Sequence, residues 1–178
     1  MNTSSRFIVA VHLLAVLAVR GKVKSGDMAW SVNTNPVVIR RILGELREAG
    51  LVHSQTGPHG GSTLTRPADQ ITLADVYDAV ESGQLFHPLY SDPAAGCPIG
   101  SNIEDCMATV FQETQTAVRN TLSTKTIAQI ADDILARTGI KKLLNTGLTM
   151  DEIQEQYMLQ DGKAIPRTTA TTATADGR

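Results

Sequence analysis

The stretch from Asn35 to Pro67, reading NPVVIRRILGELREAGLVHSQTGPHGGSTLTRP, constrains this chain more tightly than any other. Val38, Ile39, Ile42, Leu43 and Leu46 recur every three or four residues, which puts them on one face of a helix and leaves Arg40, Arg41 and Arg47 on the remainder. Pro36 suits the first helical position, where it has no N–H to lose, and Gly50 suits the stop. Two short β-prone segments follow, Leu51 to Gln55 and Ser62 to Thr65, around a tip of Gly57, Pro58, His59, Gly60 and Gly61. A helix running at once into a small hairpin is the recognition half of a winged helix-turn-helix. The helix fits a DNA major groove, and the hairpin can reach the adjacent backbone or minor groove.

The segments on either side complete such a head. Residues 4–20 read as a first helix, capped by Ser4 or Ser5, with Phe7, Ile8, Val11, Leu14, Ala15 and Ala18 as its buried stripe and Gly21 as its end. Ser25 is the expected cap of a short second helix whose apolar side is Met28, Ala29 and Val32. Trp30, the only tryptophan, is expected to pack into the centre of the head. After the wing, Thr72 caps a support helix bearing Leu73, Val76, Tyr77 and Val80 on one face.

Residues 83–100 hold three prolines, three glycines and the first cysteine, and are read as an irregular connecting loop. A long helix is expected from Asn102 to about Ser123, with Ile103, Met107, Val110, Thr114, Ala117 and Thr121 in a stripe widened by Phe111, Val118 and Leu122. So wide a stripe needs a partner, and its position after a complete head favours dimerisation. A further helix spans 126–136 and closes at Gly139, and Thr149 with Glu152 forms a capping box ahead of another. The resulting division is a head with support helix at 1–82, a sensor or connecting loop at 83–101, the dimerisation helix and its follower at 102–137, a helical extension at 138–165 and a disordered tail at 166–178. The expected fold class is mostly α with a small β-wing.

Charge supports this division. The chain carries −2 overall, but residues 1–66 hold eight Lys or Arg against three acids, whereas 69–161 hold fourteen acids against five bases. A basic head facing DNA and an acidic half facing elsewhere would produce that asymmetry. No apolar run reaches the length of a membrane span and no signal peptide is expected, so the chain is read as cytoplasmic. Two cysteines in 178 residues are not a disulfide scaffold.

The chain resembles the Rrf-type family of bacterial winged-helix regulators, which includes the IscR, NsrR and CymR groups. The resemblance covers about residues 4–137 and rests on I-x-x-x-L-x-x-L-R-x-A-G-L-V from Ile39 to Val52, G-P-H-G-G at 57–61 and RPADQITLADVYDAVE at 66–81. Within the family it is most similar to the YwnA-like subgroup that lacks the three-cysteine cluster site. It implies a homodimeric regulator, read as a repressor, on a roughly palindromic double-stranded DNA operator. The DNA contacts it implies by position are Asn35, Val38, Arg40 and Arg41 around the recognition helix, and Thr56, His59, Gly60 and Gly61 in the wing. Family members often have an arginine just before the wing's Gly-Pro pair, and Thr56 stands there instead. The physics of the arginines agrees, because a guanidinium can give two parallel hydrogen bonds to guanine. Arg47 is read as a solvated helix residue.

Cys97 and Cys106 are the candidate redox-sensing residues. Cys97 precedes the long helix, whose positive end can raise a thiol's reactivity towards oxidants, so oxidation or a disulfide to Cys106 could move that helix and the DNA-reading heads. Taken alone, Cys106 lies near the apolar stripe and reads as a buried small hydrophobe. Cofactors are expected to be none. An iron-sulfur or metal-responsive site built from Cys97, Cys106 and His12 is the alternative, without a recognisable zinc spacing. A thiol enzyme using Cys97 is the remote alternative from another class, and no catalytic residue is assigned.

Overall fold

The computed structural model describes residues 3–81, 91, 93–94 and 96–167. The fold is mostly α with small antiparallel hairpins, as the periodicities predict. Helix α1 (Thr3–Arg20) is the central element, packing against the second and third helices, the support helix and the wing. Ala10, Leu13, Leu14 and Leu17 are buried along it, while Ile8, expected in the stripe, is 66% exposed. The helix is apolar almost all round, so its period does not single out the face that the core covers.

Helix α2 (Ser25–Val32) buries Met28 and Ala29 and ends at Asn33 in the left-handed conformation. Ser25 is its first helical residue and not the cap: Lys24 takes that position, with no side-chain cap bond. Trp30 is 84% exposed, contrary to its expected place in the core, because Met28 and Ala29 face inward on this two-turn helix and position 30 is turned away from them.

Helix α3 (Pro36–Glu48) buries Ile39, Ile42, Leu43 and Leu46. Strands β1 (Val52–Gln55) and β2 (Gly61–Leu64) form the antiparallel wing, with Val52 opposite Leu64 and Gln55 opposite Gly61. Val23 adds a third rung, exchanging backbone hydrogen bonds with Ser62 at 3.1 and 2.8 Å, so the wing is fastened to the segment before α2. Helix α4 (Leu73–Val80) opens with the Thr72–Asp75 capping box, and its Tyr77 meets Phe7 edge to face at 5.9 Å.

Helix α5 (Ile103–Ser123) packs on α4, with Arg119 reaching Asp78 at 2.6 Å, and none of its residues is buried. Helix α6 (Ile127–Thr138) returns to α1, tied by the Ile127 N–H to the Ile71 carbonyl at 2.9 Å. Helices α7 (Ile140–Asn145) and α8 (Met150–Gln156) follow, and then a second hairpin of β3 (Tyr157–Gln160) and β4 (Lys163–Pro166). The extension expected to be helical therefore ends in strands, turned at Asp161 and Gly162, both with positive φ (49° and 72°). Most of the expected connecting loop, at 82–90, 92 and 95, and the expected tail from residue 168 lie outside the described residues.

Candidate nucleic-acid interface

The exposed side of α3 is set by what its other side buries. With Ile39, Ile42, Leu43 and Leu46 in the core, Val37, Arg40, Arg41 and Arg47 fall on the outside at helical spacing. Asn35 caps the helix, its side-chain oxygen accepting the Val37 N–H at 2.8 Å. That oxygen is committed to the fold, and the carboxamide N–H2 is the group left to reach outward. Val38 is half-buried and packs against the core, while Val37, 60% exposed, is the apolar side chain on the outer surface.

The two arginines differ. Arg41 lies 3.5 Å from Glu45 through Nε, and Glu45 in turn takes Nη2 of Arg6 at 2.7 Å. Arg40 is exposed and has no ion pair among the described residues. A contact of Arg40 with an anion or another acceptor therefore would not require it to leave a carboxylate first. Glu81, at the end of α4, belongs electrostatically to the same group: burial pushes its carboxyl up, Arg6 pulls it down and Glu45 pushes it up, with the net above the ordinary value. One of its oxygens is buried without a hydrogen-bond partner among the described residues.

In the wing, Thr56, Pro58 and His59 are exposed at the tip. Gly60 is held where a side chain would meet the Gln55 carbonyl at 2.5 Å and the Gly57 carbonyl at 2.8 Å, so this tight turn tolerates only glycine. Lys22, which sequence reasoning missed, gives its ammonium to the His59 carbonyl at 2.6 Å and reaches the Gln55 side chain at 3.4 Å. It braces the tip and places a positive charge there. The signal was available as a lysine just before Val23, but only the Val23–Ser62 pairing brings it under the wing.

A description of the Rrf2 family as iron-dependent transcriptional regulators matches residues 3–133. The chain belongs to the Rrf2 family of transcriptional regulators. It is 34% identical over 131 residues to YwnA of Bacillus subtilis, named as an HTH-type transcriptional regulator, covering 74% of this chain and 98% of YwnA. Among solved structures, a transcriptional regulator from Lactobacillus plantarum superposes with a TM-score of 0.61 at 26% identity, covering 80% of this chain and 98% of that one. The oxidised form of Staphylococcus aureus CymR shares the fold at a TM-score of 0.54 and 24% identity, over 74% of this chain and 96% of CymR. Rrf2 membership makes this a DNA-binding transcriptional regulator. No helix among the described residues is long and apolar enough to cross a membrane.

The family description includes iron, and the donor set here does not fit it. Cys97 and Cys106 are the only cysteines, and both are exposed free thiols. Cys106 is thus not the buried hydrophobe that its position near the stripe suggested, because nothing in the described chain covers that side of α5. His12 instead shares a hydrogen bond with Ser31 at 2.9 Å, and no three His, Cys, Asp or Glu side chains among the described residues come together to hold a metal. Cys97 lies in the turn before α5, its sulfur accepting the Gly100 N–H at 3.4 Å.

Proposed function

We propose that this Rrf2 protein is a homodimeric repressor that binds a palindromic operator through α3 and the wing. The observation that carries the dimer is α5: twenty-one residues, none buried, with Val110 48% and Ile103 38% exposed. An amphipathic helix of that length is stable when a second surface covers its apolar face, and a two-fold copy supplies an identical one. In this reading Arg40 and Arg41 read base edges and Asn35 marks the start of the contact, with Val37 beside them in place of Val38. Thr56, His59, Gly60 and Gly61 follow the adjacent backbone, with Lys22 supplying charge at the tip.

Regulation is assigned to the thiols. Cys97 lies in the turn that leads into α5 and is exposed, so its oxidation, or a disulfide to Cys106 or across the dimer, would alter that turn. Operator binding before and after diamide, with Cys97→Ser in parallel, tests this. The response is expected in the wild type and absent in the variant; an identical response in both would assign the sensing elsewhere.

A further inference from the structure

A groove of about 1110 Å³ runs between α1 and α2 of the head on one side and α6, α8 and the β3–β4 hairpin on the other. Its walls are apolar and largely uncovered: Ile8 is 66% exposed, Ile134 48%, Leu159 59% and Trp30 84%. Exposed apolar side chains from four elements that line one concavity mark a place for an apolar guest. The volume lies just above the range of about 300–1,000 Å³ typical of small-molecule sites, as expected for an open groove. Residues matched to the Rrf2 family end at 133, so α8 and the hairpin, which make the far wall, lie beyond the matched part.

The polar lining indicates which guest. Arg20 and Arg167 line the groove against a single carboxylate, Asp27. Arg20 is already paired with Asp151 at 3.3 Å, whereas among the described residues Arg167 gives Nη2 to the Gln154 carbonyl at 2.9 Å and has its other donors left for a ligand. His12, hydrogen-bonded to Ser31, adds no positive charge near neutral pH, since burial holds its imidazole below the ordinary value. We propose that this groove binds an organic acid with an apolar body, aryl or medium-chain alkyl, its carboxylate held by Arg167 and its body lying against Ile8, Ile134, Leu159 and Trp30. This assignment is independent of operator binding.

Trp30 is the only tryptophan, so its emission reports the groove directly. The test titrates the full chain with decanoate below its micelle concentration, and with decanol as the uncharged counterpart. A saturable change with one site per chain is expected for decanoate, with decanol weaker. Arg167→Gln should weaken decanoate about fivefold and leave decanol unchanged, the loss typical of an accessible ion pair. Ile134→Asp should abolish both while the circular dichroism spectrum is preserved, and Ile8→Asp serves the same purpose if that variant does not fold. A response that does not saturate, persists in the folded aspartate variant, or is as strong for decanol as for decanoate would overturn the proposal.

Discussion

Helices α3 and α5 are both amphipathic, yet they sit in opposite circumstances. In α3 four large aliphatic side chains are buried, and its arginines stand outside. In α5 no side chain is buried, although the stripe is wider and the helix eight residues longer, at 21 against 13. The same periodicity thus reports a core in one place and a missing surface in the other. What distinguishes them is whether the described residues of the chain supply the cover, which depends on tertiary placement and not on the pattern.

The contrast can be broken most forcefully in the core. Leu46→Ala, at a site with no exposure, should lower unfolding free energy by about 2–5 kcal/mol, measured by denaturant titration. An effect below about 1 kcal/mol would mean that α3 is not anchored as described. On α5 the corresponding change is Val110→Asp, which places a charge on the uncovered face. The head should still fold by circular dichroism, and light scattering should show a shift from dimer to monomer.

On the outer face of α3, Arg40→Ala and Arg41→Ala should each weaken operator binding by about 1–3 kcal/mol. Arg40 is expected to be the larger, because Arg41 is partly engaged with Glu45 at 3.5 Å. Equal affinity and equal salt dependence in both variants and the wild type would remove this surface from the interface.

The smallest effects concern pH. In Asp75, burial raises the carboxyl pKa, but the Thr72 N–H and hydroxyl and the Arg66 guanidinium outweigh it and hold it below 3.8. Its stabilisation is present above that value and is lost as pH falls through the lower folded one. Glu81 has the opposite sign: its folded pKa lies above 4.5, so its ionised form costs stability at neutral pH and the cost disappears on acidification. Thermal melts should accordingly show Glu81→Gln slightly more stable than wild type at pH 7, with the gain vanishing below about pH 4. A gain that persists at low pH would place the effect outside the titration of Glu81.

Much of this was legible because local rules act locally. Pro36 opens α3, Thr72 and Thr149 form capping boxes, and Gly50 and Gly139 take positive φ where a helix stops. What escaped depends on through-space neighbours or on a signal outweighed by composition. Ile8 and Trp30 read as core because apolar residues usually find cover, and here they face a groove. The Asp161–Gly162 pair is a strong hairpin signal, overlooked between segments with little alternation. At the interface, the arginine face and the i,i+4 pairing of Arg41 with Glu45 follow from the helical period, whereas the bracing by Lys22 and the bridge from Arg6 to Glu45 required the packed head. Val38 belongs to the apolar stripe by its spacing and to the DNA contacts by resemblance, and the packed head turns it inward.

The central claim is that α3 reads DNA from a dimer built on α5. Fluorescence anisotropy with DNA from the protein's own promoter, combined with light scattering of the complex, tests it most directly. Two protomers should bind per palindrome with sub-micromolar affinity, falling steeply with salt, and Val110→Asp should lose affinity together with the dimer. One protomer per site, with Val110→Asp binding as tightly as the wild type, would contradict it.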